Sequence, residues 1–119
     1  MQVKQRLNIV LHKIQSIELL VDEYEGKISL ALEDELKTKP AILMHLIAIA
    51  EQINKLKNDN EFKVLENFSK DDLKGLNDVR NFIAHDYEGV DMYIIETAIR
   101  FGLPSLKKSV QKTIKQETF

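Results

Sequence analysis

The chain has 119 residues, 44% of them hydrophobic and none of them cysteine, with 17 basic and 19 acidic residues giving a formal net charge of -2. That length and apolar content suit one domain, 1-119, around one core; the lack of cysteine removes disulfides, thiolate metal sites and cysteine nucleophiles; and the mixed charge leaves no general field for polyanions. No apolar run approaches the ~20 residues of a membrane span, and the first ten residues, broken by Lys4, Arg6 and Asn8, carry no signal pattern, so a cytoplasmic protein with no membrane partner is expected.

From Val3, the residues Leu7, Val10, Ile14, Ile17, Val21 and Tyr24 recur at spacings of four and three, which places them on one stripe of a long first helix ending near Gly26. Ile9, Leu11, Leu19 and Leu20 widen the stripe, so this helix is expected to be covered on more than one side, by its own domain or by a second subunit. A second helical stretch runs from Ser29 to about Thr38, and Pro40 marks a kink or a fresh start. Beyond it Ile42, Leu46, Ile49, Ile53 and Leu56 repeat the pattern, flanked by Leu43, Ile47 and Ala50. Two long helices with matching stripes should pack antiparallel. His12 and His45 lie on these helices with no second ligand at metal spacing, and read as packing or surface residues.

Asn58-Asp59-Asn60 is turn chemistry, and the segment to Phe68 is a connection or a short helix. Ser69, three residues before Asp72, is an N-cap opening the helix that follows. At ~100° per residue, Leu73, Leu76, Val79, Phe82 and Ile83 share a broad apolar arc, and Lys74, Asn77, Asp78, Arg80, Asn81 and His85 fill most of the rest. Gly89 stops this helix, with His85, Asp86 and Tyr87 at or just past its last turn. Asp91 opens another helix, interrupted at Gly102-Leu103-Pro104 before a final one through Leu106, Val110 and Ile114. Lys107, Lys108, Lys112 and Lys115 form a solvated terminal face, with a weak nucleic-acid contact as the other reading. The fold class is all-α, an antiparallel bundle of four to five helices.

Polar chemistry concentrates in Arg80-Asn81-Phe82-Ile83-Ala84-His85-Asp86-Tyr87. The chain has no metal-ligand spacing, no glycine-rich phosphate loop and no serine elbow, so neither a metal nor a cofactor is expected. Arg80 and His85 suffice for metal-independent cleavage of an RNA phosphodiester. There the ribose 2'-hydroxyl attacks its own phosphate, so the enzyme needs a proton carrier active near neutrality and a cation for the charge on the phosphorane. Imidazole supplies the first and guanidinium the second, and Asn81 orients His85 or the phosphate. The competing reading of the same residues is an ordinary polar helix face.

The run Arg80 to Tyr87 resembles the Arg-x4-His-x-Tyr motif of the HEPN superfamily, and more narrowly of HepT-like proteins, the toxins of prokaryotic toxin-antitoxin pairs. Ile49-Ala50-Glu51-Gln52 is similar to the family's Ile-Gly-Glu-Ala run, with alanine for glycine. Gly89-Val90-Asp91 and Leu103-Pro104-Ser105-Leu106 resemble its C-terminal segment, and Leu73 stands where an aromatic is frequent. The resemblance implies an endoribonuclease toxin of a type VII-like system, active as a homodimer whose motif helices build one composite cleft. It implies catalytic Arg80 and His85, supporting Asn81 and Glu51, and a partner nucleotidyltransferase (MNT-type) antitoxin that attaches AMP to Tyr87. The alternative is a non-catalytic helical substrate-binding or regulatory subunit of a nucleotidyltransferase.

Overall fold

Leu7, Val10, Ile14, Ile17 and Val21 form one buried face of α1 (Val3–Asp22) in the computed structural model, which describes residues 1–116. This face meets the matching stripe of α3 (Thr38–Asn58), where Ile42, Leu46, Ile49, Ile53 and Leu56 are all buried together with Leu43 and Ala50. The two helices run antiparallel: Arg6, near the start of α1, reaches Gln52 and Asp59 at the far end of α3, at 3.1 and 3.5 Å. Val3 and Tyr24, at the ends of the expected stripe, are half-buried. Helix α1 stops at Asp22, short of Gly26. The Gly26 N–H bonds the Val21 carbonyl at 3.2 Å, and its φ of +77° is one that a residue without Cβ adopts freely.

The helix expected from Ser29 to Thr38 is instead a single turn, α2 (Ile28–Ala31), followed by a side-chain-built turn. Asp34 accepts hydrogen bonds from the N–H groups of Leu36, Lys37 and Thr38, from the Thr38 hydroxyl at 2.8 Å, and from the Tyr24 hydroxyl at 3.1 Å. These satisfy donors that the opening of α3 leaves free. They hold the Asp34 carboxyl below the usual carboxylate range, at about 2, with the Thr38 hydroxyl the largest cause. Pro40 falls in the first turn of α3, where its missing N–H leaves no bond unmade.

A one-turn α4 (Phe62–Leu65) leads to α5 (Lys70–His85), which packs on α3, and then to α6 (Met92–Thr97) and α7 (Leu103–Gln116). The expected break at Gly102-Leu103-Pro104 does not occur. A π-turn, Ala98–Gly102, carries the helix through, with the Leu103 N–H bonded to the Ala98 carbonyl. Proline at 104 has no N–H for the Arg100 carbonyl, and widening the turn absorbs that missing bond. The bundle therefore has four long helical segments and two short ones, with no strand among the described residues. One connected core runs through all of them, from Leu7 to Val110.

Candidate functional site

Helix α5 carries the motif, and its attachment to the core decides which residues reach solvent. The Ser69 hydroxyl accepts the Asp72 N–H at 3.1 Å as the expected N-cap, and Asp71 and Asp72 complement the positive end of the helix. The Asp72 carboxylate also accepts a hydrogen bond from the Ser105 hydroxyl, which ties this end to α7. Leu76, Val79 and Ile83 are buried, so the remaining arc faces outward. Phe82, expected in the apolar arc, is 48% exposed. It stands at the arc's edge, one residue or ~100° from Ile83.

Arg80 is half-buried beside the core stripe, and its Nη1 donates to Asn81 Oδ1 at 3.2 Å. This bond joins the expected cation to its expected supporting residue and limits where the guanidinium can swing. His85 closes the helix with an exposed imidazole that no hydrogen bond or ion pair engages among the described residues. His85 is the fifth residue after Arg80, a rise of ~7.5 Å and a rotation of ~140°. The two share the outward arc, and no hydrogen bond joins them within one chain.

Glu51 is exposed on α3, one turn before Asn54. Asn54 Nδ2 donates to Asn77 Oδ1 on α5 at 3.5 Å, which joins α3 to α5. Among the described residues no ion pair or hydrogen bond joins the Glu51 side chain to Arg80 or Asn81. Asn54 was not singled out by the sequence. Only its packing against α5 distinguishes it from an ordinary helix asparagine.

Tyr87 follows the helix end and is 37% exposed. The turn that carries it is closed at Asp86, whose carbonyl and Oδ1 both accept the Gly89 N–H, at 3.2 and 3.0 Å. A Cβ at residue 89 would meet the Asp86 carboxylate, so an alanine there would have to displace that side chain from its bond to the residue 89 N–H.

The charges around the motif are partly spent. Lys74 donates to Asp78 at 2.7 Å, and this hydrogen bond is the main reason its ammonium is held above its ordinary value. On the opposite flank of α5 an apolar groove of about 340 Å³ opens toward α6 and α7, lined by Leu76, Val79, Phe82, Tyr93 and Leu106 among others. Neither Arg80 nor His85 lines it. His45, half-buried on α3, is held below its ordinary value first by burial and then by Lys13 and His12, as befits a packing residue. Among the described residues no group of three or more histidine, aspartate or glutamate side chains gathers into a possible metal site. No helix among them is long and apolar enough to cross a membrane.

The family model described as "HepT-like: Ribonuclease HepT-like" matches residues 10–113. No curated protein and no solved structure matches the chain.

Proposed function

We propose that this chain, which belongs to the HepT-like ribonuclease family of RNA-cleaving enzymes, is the toxin of a toxin-antitoxin pair and cuts RNA with Arg80 and His85. One observation carries the assignment of residues: both lie on the outward arc of a rigid, capped helix, with Asn81 bonded to the guanidinium and the imidazole left free.

A single chain offers one motif imidazole, His85, on an open face, and phosphodiester cleavage gains when a base and an acid act together. Two copies meeting through their α5 faces would bring two imidazoles and two guanidiniums around one strand. One His85 takes the proton from the 2'-hydroxyl as that oxygen attacks phosphorus. The other gives a proton to the departing 5'-oxygen, leaving a 2',3'-cyclic phosphate and a 5'-hydroxyl. The Arg80 guanidiniums balance the phosphorane charge. Asn81 keeps Arg80 in place, and Glu51 sits at the cleft edge. The pairing also supplies the local positive field that a net charge of -2 does not.

Tyr87 is the proposed control point. It is an exposed residue two positions past His85, which ends α5. A nucleotidyltransferase antitoxin would transfer AMP from ATP to the phenolic oxygen, with pyrophosphate leaving. The added anion would fill the cleft and repel the RNA backbone. The proposed setting is the cytoplasm, where ATP, RNA and the antitoxin are all at hand.

Purified protein incubated with total RNA in EDTA tests this reading, with His85→Ala alongside. Cleavage by the wild type that vanishes in the variant supports it. Intact RNA with a well-folded wild-type dimer points instead to a non-catalytic subunit of a nucleotidyltransferase.

A further inference from the structure

The Asn54–Asn77 bond is the only side-chain hydrogen bond that joins α3 to α5 among the described residues. Neither amide is consumed by it. Each carries one carbonyl acceptor and one NH2 donor. A head-to-tail pair uses one of each and leaves the other carbonyl and the other NH2 group free, whichever way the two amides are turned. Asn77 is exposed and Asn54 half-buried, so the free groups meet solvent at the seam between the two helices. No other hydrogen bond engages either side chain among the described residues.

The position of the pair relative to the motif gives it meaning. Lys74, Asn77, Asn81 and His85 recur at spacings of three and four and so form one stripe on α5. Asn77 precedes Arg80 by three residues and Asn81 by four, a rise of ~4.5 to 6 Å along the axis. That is about the reach from a phosphate to the base of the same or the neighbouring nucleotide. On α5 the charges flanking Asn77 are paired with each other, Lys74 with Asp78, so the two amides suit a base better than a second phosphate. Unpaired RNA bases are read on their edges by side chains offering a donor and an acceptor together.

We propose that Asn54 and Asn77 form a base-reading pair, which sets the preferred nucleotide beside the scissile phosphate. The inference rests on the ribonuclease reading above. The pair acts on sequence choice rather than on bond breaking, because it lies a full turn from Arg80 and farther from His85.

The test is a cleavage-site profile. A single-stranded RNA library randomised around the cut is digested by the wild type, Asn77→Ala, Asn54→Ala, Asn77→Asp and His85→Ala, and the products are sequenced. The wild type should favour particular bases at one flanking position. Either alanine variant should reduce that favoured-to-disfavoured ratio about tenfold at this position and leave the other positions as they were. Asn77→Asp, which keeps acceptors and loses the donor, should shift the preference toward bases with an exocyclic amino group. A ratio unchanged in both alanine variants overturns the proposal, as does a uniform fall in cleavage over all sequences, the mark of a merely structural bond. Should the wild type leave the library as intact as His85→Ala does, the ribonuclease reading itself fails and this inference falls with it.

Discussion

Ile83 lies between Arg80 and His85 in the sequence but faces the opposite way, 1% exposed against the core. Truncating it separates what holds the motif helix from what the motif does. Ile83→Ala removes three carbon groups, worth ~0.8 kcal/mol each or about 2.4 kcal/mol together. If the site does not collapse, a cavity of roughly 70 Å³ adds up to about 1.7 kcal/mol at ~24 cal/mol per Å³. The expected loss is therefore about 2.5 to 4 kcal/mol, a large share of the ~5 to 15 kcal/mol that holds an ordinary domain folded. The melting temperature should fall by about 10 °C or more. His85→Ala removes an exposed side chain with no hydrogen bond, and should change stability by less than about 0.5 kcal/mol. Urea and thermal unfolding followed by circular dichroism at low protein concentration measure both. A loss under 1 kcal/mol for Ile83→Ala, or one above 2 kcal/mol for His85→Ala, would refute this orientation of α5.

Ser69→Ala removes the N-cap of α5 and should lower unfolding free energy by about 1 kcal/mol, read from the urea midpoint. Gly89→Ala should destabilise the turn after α5 by roughly 1 kcal/mol, and this loss should shrink in an Asp86→Ala background, since the clash is with that carboxylate. Equal losses in both backgrounds would contradict the contact. The Asp34 carboxyl is depressed to about 2 in the folded chain from ~3.9 when unfolded, so its stabilising effect is complete above about pH 4 and is lost as pH falls toward 2. Asp34→Asn should flatten the pH dependence of stability across that window, and an unchanged slope would show that its hydrogen bonds do not persist in solution.

Much of this arrangement was legible in the residues, because the signals were local. The stripes of α1 and α3 needed only four-three spacing, and every aliphatic expected on the α3 stripe is buried. The Ser69 cap and the shared outward arc of Arg80, Asn81 and His85 followed from offsets within one helix. The turn at Asp34 was not legible, because an acid two to four residues before free N–H groups looks the same inside a helix as at a turn. Gly102-Leu103-Pro104 carries the usual signals of a helix end, and only the packing of α7 on α1 shows that a π-turn absorbs them. Phe82 matched the apolar period but sits at the edge of the buried arc, beside a groove that a single helix cannot reveal. Asn54 gained its role only from the helix packed against it. The proposed completion of the site by a second copy is still less visible, since half of that geometry would come from another molecule.

The most direct test of the central claim is single-turnover cleavage of one RNA oligonucleotide in EDTA by wild type, Arg80→Ala and His85→Ala, all shown to be folded dimers. The account predicts cleavage by the wild type to 2',3'-cyclic phosphate ends, with a rate about 10² to 10⁴ lower in His85→Ala and a comparable fall in Arg80→Ala. Wild-type rates in either variant, or equally rapid cutting of an oligonucleotide lacking the 2'-hydroxyl at the scissile position, would contradict it.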